Sequence, residues 1–232
     1  MSVHTSAHPA VSGPADERHA FLKKTALWTF MGLIAAGAIG AVSTFAIAPI
    51  ILNSGRYSGT IVILVTFALA HFVARKMVYG GAKIPGFILA VASEGVALGI
   101  LLLTALSVMG MQEGTALVGQ ALGLTAATAG GMLVYVWLSK GELKILGAFL
   151  SMAFIPMLIL MALGIFFPIG GTFGLIISAA FVLVSAGGLL YRLNYVVHNL
   201  DTEQHVEGAY EITMGVLVLL WNIITLLMRL RR

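Results

Sequence analysis

From Thr25 to Gly55 the chain carries no charged side chain. That is longer than the roughly 20 apolar residues needed to cross a hydrocarbon core about 30 Å thick. Similar runs recur to the C-terminus, separated by short charged or Gly/Pro-rich breaks. They are apolar all round, whereas a soluble helix needs only an apolar stripe. Only 9% of the 232 residues are charged and 59% are hydrophobic; a soluble domain carries about a quarter charged. Mean hydropathy is +1.02. No run alternates with period two, and backbone in lipid must be satisfied within helices or closed barrels. The expected fold is an all-α polytopic membrane bundle of about seven transmembrane helices.

Charges and breakers place the spans. Residues 1–24 are polar and rich in Pro, Ser, Gly and His, which predicts a disordered cytoplasmic tail ahead of a bundle over 25–232. A signal peptide does not account for the first run, which far exceeds a hydrophobic segment of about 7–15 residues. The spans are expected at 26–50, 59–77, 84–109, 115–138, 143–166, 173–198 and 207–229. Gly110 to Gly114 should break the chain, Pro156 should kink the fifth span, and Phe167-Pro168-Ile169-Gly170-Gly171 should turn it. Glu207 and Glu211 fall in the first turns of the last span, where negative charge suits the helix dipole.

Lys and Arg set the orientation. With the N-terminus inside, Arg18, Lys23, Lys24, Arg75, Lys76, Lys83, Lys140, Lys144 and Arg192 are cytoplasmic. Outside lie Arg56 and the terminal Arg229, Arg231 and Arg232. A re-entrant last segment would bring those three back inside; seven full crossings remain the expectation. The sequence pI near 9.5 does not indicate nucleic acid, because the basic residues sit at helix ends. There is no cysteine, which excludes disulfides and thiolate chemistry. Gly32, Ala36 and Gly40, and Gly119 and Gly123, form small-residue stripes suited to close helix packing within the chain or to a dimer face. Gly130-Gly131 and Gly187-Gly188 add close-approach points.

Glu94 is the most informative residue. A carboxylate in mid-span costs several kcal/mol unless it faces the bundle interior, finds a partner or holds a proton. It is therefore a candidate proton or cation site, weighed against a plain interhelical hydrogen bond. Arg192, near the end of the sixth span, either snorkels to the interface or serves as a counter-charge to Glu94 or Glu211. Asn222 should hydrogen-bond across helices. His71 and Arg75 lie one turn apart and share a face; near the interface they should be solvated. His198, with Asn194 and Tyr191, lines one face. His4, His8 and His19 match no metal site. No nucleophile–base constellation, phosphate loop or zinc motif occurs, so neither an enzyme nor a cofactor is expected.

Four stretches resemble the Bax inhibitor-1-like family in its bacterial branch. They are Glu94-Gly95-Val96-Ala97-Leu98; Gly130-Gly131-Met132-Leu133-Val134-Tyr135 with Lys140 and Leu146-Gly147-Ala148-Phe149-Leu150; Leu190-Tyr191 with Val197-His198; and Trp221-Asn222-Ile223-Ile224 with Leu227 and Arg229. The resemblance implies six helices around a central last one, in a bacterial cytoplasmic membrane. It implies two roles: a pH-sensitive calcium leak channel, or a regulator that binds a membrane-embedded AAA protease and slows its action. The expectation for this chain is a pH-sensitive calcium or proton leak with Glu94 as the sensitive residue, or else a non-transporting regulator that binds such a protease or a secretion complex. Channel-type members carry two aspartates where this chain has Arg192 and Leu219. Losing two negative charges and gaining a positive one disfavours a divalent cation there. Arg75 matches an arginine thought to latch the first aspartate, and would face Arg192 here. The expected ion or proton pathway comprises Glu94, Asn222, Arg192, Arg75 and Glu211.

Overall fold

A computed structural model of the chain describes residues 15–55, 57–139, 143–166 and 170–231. Positions 1–14 with His4 and His8, Arg56, Lys140, the Phe167-Pro168-Ile169 part of the turn, and Arg232 lie outside the described residues. The described chain is helical: α1 (Ala15–Ala46), α2 (Ala48–Asn53), α3 (Ser58–Ala68), a π-turn (Leu69–Val73), α4 (Ala74–Tyr79), α5 (Lys83–Met109), α6 (Met111–Leu138), α7 (Lys144–Phe166), α8 (Gly171–Asn199) and α9 (His205–Leu230). Six stretches are long and apolar enough to cross a bilayer: α1, Ser58–Tyr79, α5, α6, α8 and α9. The 23-residue α7, with Pro156 inside it, is a seventh apolar helix. Large apolar side chains such as Ile34, Phe45, Trp137, Met152 and Leu183 are exposed around the bundle, as lipid-facing residues must be.

The expected spans hold to within a few residues at most ends, with two differences. Helix α1 begins at Ala15, so residues 15–24 of the predicted tail are helical. Asp16 and Glu17 occupy its first turn, where the dipole favours them, and Phe21 is buried against Val196 and Leu200. The break between α5 and α6 is a single residue, Gly110, at φ +81°. That backbone region is costly for a residue with a Cβ. Gly114 is already helical.

Helix α9 is the centre of the bundle and packs against α1, α4, α5, α6 and α8. Helices α1 and α5 meet most closely. A Cβ on Gly99 would lie 2.4 Å from Ser43 Cβ, and one on Gly95 2.7 Å from Ile39 Cβ. The α1 stripe of Gly32, Ala36 and Gly40 is buried in the same packing. The α6 stripe is different: nothing lies within 4 Å of a Cβ built on Gly119, Gly123, Gly130 or Gly131.

Candidate functional site

The site begins with an irregularity in the second span. At the π-turn the Ala74 N–H reaches back five residues to the Leu69 carbonyl, instead of four to Ala70. The Ala70 carbonyl, passed over by that donor, accepts the hydroxyl of Tyr210 from α9 at 2.8 Å. Bulges of this kind gather at functional sites. Tyr210→Phe leaves a buried carbonyl without this donor, so it should destabilise the protein by about 1–3 kcal/mol. Thermal unfolding in detergent measures this, and an unchanged midpoint would show that water replaces the hydroxyl.

Inside the π-turn, His71 stacks on Phe67, ring centroids 4.2 Å apart and 18° from parallel. Its Nδ1 lies 3.3 Å from the Phe67 carbonyl and 3.5 Å from Glu94 Oε1 on α5. Nδ1 is thus in hydrogen-bond reach of the Phe67 carbonyl and in ion-pair reach of Glu94. Glu94 is only 7% exposed, and the His71 side chain 14%.

One layer on, Glu211 of α9 sits between two guanidinium groups. Arg192 Nη1 of α8 donates to Glu211 Oε2 at 2.5 Å. Arg75 Nη2 of α4 stands 3.5 Å from Oε1, to which Tyr79 also donates its hydroxyl at 3.0 Å. Arg75 in turn lies over the Tyr79 ring, 5.7 Å from its centroid. Lys83, at the start of α5, pairs with Glu207 at 2.7 Å. His71 and Arg75, one turn apart on the second span, line the same groove, so the two layers adjoin in one polar cluster that is exposed at Arg75. It holds two carboxylates against two permanent cations and one histidine. Among the described residues no three His, Asp or Glu side chains converge as metal ligands do. His71 and Glu94 are the members able to hold or release a proton, while Arg75, Glu211 and Arg192 are tied to one another as ion pairs.

Of the five residues expected from sequence, Arg192, Arg75 and Glu211 meet one another, and Glu94 meets His71. Arg192 takes the counter-charge role, with Glu211 as partner, and Glu211 also separates it from Arg75. Asn222 does not join them. Its Nδ2 donates to the Val218 carbonyl of its own helix at 3.0 Å, where a cross-helix bond was expected. Likewise the Thr125 hydroxyl donates to the Ala121 carbonyl at 2.7 Å. His71, expected to be solvated, is turned inward to Glu94. Tyr79 and Tyr210 were not anticipated. Tyr79 lies one turn beyond Arg75, which is the available signal for it.

Two comparisons place the chain among known proteins. Residues 18–232 match the sequence profile of the family described as inhibitor of apoptosis-promoting Bax1. Over 90 residues the chain is 30% identical to the uncharacterized protein PA2604 of Pseudomonas aeruginosa, a stretch covering 39% of this chain and 40% of that protein's length.

Proposed function

This chain belongs to the Bax inhibitor-1-like family of multi-pass membrane proteins, and we propose that it acts there as a pH-responsive proton leak of a bacterial cytoplasmic membrane. The observation that carries this is the buried His71–Glu94 pair, 3.5 Å apart on facing helices. Ionisable groups inside membranes mark proton relays. The Arg75–Glu211–Arg192 triad gives the pair a fixed electrostatic frame. Calcium is the less favoured species. Glu211 is already paired with Arg75 and Arg192, and two guanidinium groups in the cluster disfavour a divalent cation. An N-terminus-in orientation puts the cluster in the cytoplasmic half.

The test is flux into proteoliposomes holding a proton dye or, in a parallel set, a calcium dye, across about pH 6 to 8, the range in which a pH-responsive leak would have to act. Proton flux above that of empty vesicles is expected, with little calcium flux. Absence of both in inserted, folded protein would defeat the proposal.

One observation favours the rival reading, a non-transporting regulator of a membrane protease or secretion complex. Asn222 and Thr125 are satisfied within their own helices and add nothing to a polar path beyond Glu94. Silence in both flux assays, with a membrane partner captured by cross-linking, would establish that role instead.

A further inference from the structure

Beside the cluster, an open groove of about 460 Å³ runs between the end of the second span and α8, lined by His71, Phe72, Arg75, Lys76, Tyr79 and Tyr195. We propose that this groove binds the phosphate of an anionic lipid headgroup. The groove shares His71, Arg75 and Tyr79 with the cluster, but lipid binding there does not depend on proton leak.

Charge, donors and shape all fit that chemistry. Lys76 has no acidic partner among the described residues. Arg75 contacts Glu211 through Nη2 alone, at 3.5 Å, and its side chain is 58% exposed. The rest of its fork is free to take a phosphate oxygen, for which guanidinium geometry is suited. Adjacent in sequence, the two cations rim one side of the groove. Tyr195 offers an aromatic wall with a polar tip, and Tyr79 a ring whose hydroxyl is already given to Glu211; aromatic side chains of this kind sit at the headgroup level. Phe72, 64% exposed, carries the wall on into the apolar girdle, where an acyl chain would lie. A free phosphate ion shares the headgroup chemistry but has no use for that wall. Basic pockets between transmembrane helices are known headgroup sites, and the volume falls within the range of small-ligand clefts.

The experiment is native mass spectrometry of the full-length protein in detergent, titrated with phosphatidylglycerol, with phosphatidylcholine, or with inorganic phosphate. Phosphatidylglycerol should be retained at least ~5-fold more tightly than phosphatidylcholine. Lys76→Gln should lose about fivefold of that retention, and Lys76→Arg should keep it. Lys23→Gln, on the exposed start of α1, should match the wild type. Equal retention of the two lipids would overturn the site. So would a loss in Lys23→Gln equal to that in Lys76→Gln, which would mean diffuse surface attraction. Millimolar phosphate that binds alone and displaces phosphatidylglycerol would overturn the lipid assignment and leave a small-anion site.

Discussion

Glu211→Leu should be among the most destabilising single substitutions in this protein, by about 3 kcal/mol. The carboxylate is 3% exposed and anchors three donors: Arg192, Arg75 and the Tyr79 hydroxyl. Removing it leaves Arg192, with its side chain 26% exposed, as an uncompensated cation inside an apolar bundle. Arg75 matters less, because water already screens most of its side chain. The double variant Arg192→Leu/Glu211→Leu gives the decisive comparison. Replacing a buried pair by apolar side chains of similar volume is often neutral or better. It should therefore unfold later than Glu211→Leu alone in a detergent melt. A double variant as unstable as the single would mean that the loss comes from packing around Glu211 and not from the orphaned guanidinium.

Glu94→Gln should bring proton flux in proteoliposomes down to the level of empty vesicles and remove its dependence on pH. The amide keeps the shape of the carboxyl and its place beside His71, but it cannot take up and release a proton. Stability should change little, so the melt separates a lost function from a lost fold. Glu94→Asp, which keeps a titratable group on a shorter arm, should retain part of the flux. A Glu94→Gln protein with the wild-type rate and pH profile would reduce the His71–Glu94 contact to a structural hydrogen bond.

Much of this architecture is legible in the amino-acid order because a lipid environment imposes a compositional rule. Every crossing must be long and apolar, so α5, α8 and α9 stand out without any neighbour being known. Glu94 is legible for the same reason: a carboxylate in such a run has to be turned inward. Which side chains meet it is another matter. His71 and Glu94 belong to different helices, and their facing depends on how each is rotated about its axis, which apolar composition does not encode. Arg192 and Glu211 could be nominated one by one, but not the arrangement in which Glu211 keeps Arg192 and Arg75 apart. The early start of α1 was hidden by Asp16, Glu17, Arg18, Lys23 and Lys24, whose polarity outweighs the single buried Phe21.

The π-turn between Leu69 and Val73 also bears on how this chain tolerates changes in length. A π-turn amounts to one residue more than a regular α-helix would hold. Deleting one residue there should let the span close into continuous α-helix with everything after it kept on its present face, because the bulge already absorbs the turn of about 100° that an extra residue brings. Arg75 and Tyr79 would stay beside Glu211, and the apolar length of the span would hardly alter. Such a shortened protein should still be inserted and carry its charge cluster, yet have no spare carbonyl for the Tyr210 hydroxyl. The facing of the charged side chains and the tie between the last helix and the second span are thus separable traits here, divided by the presence of a single residue whose identity is of secondary importance.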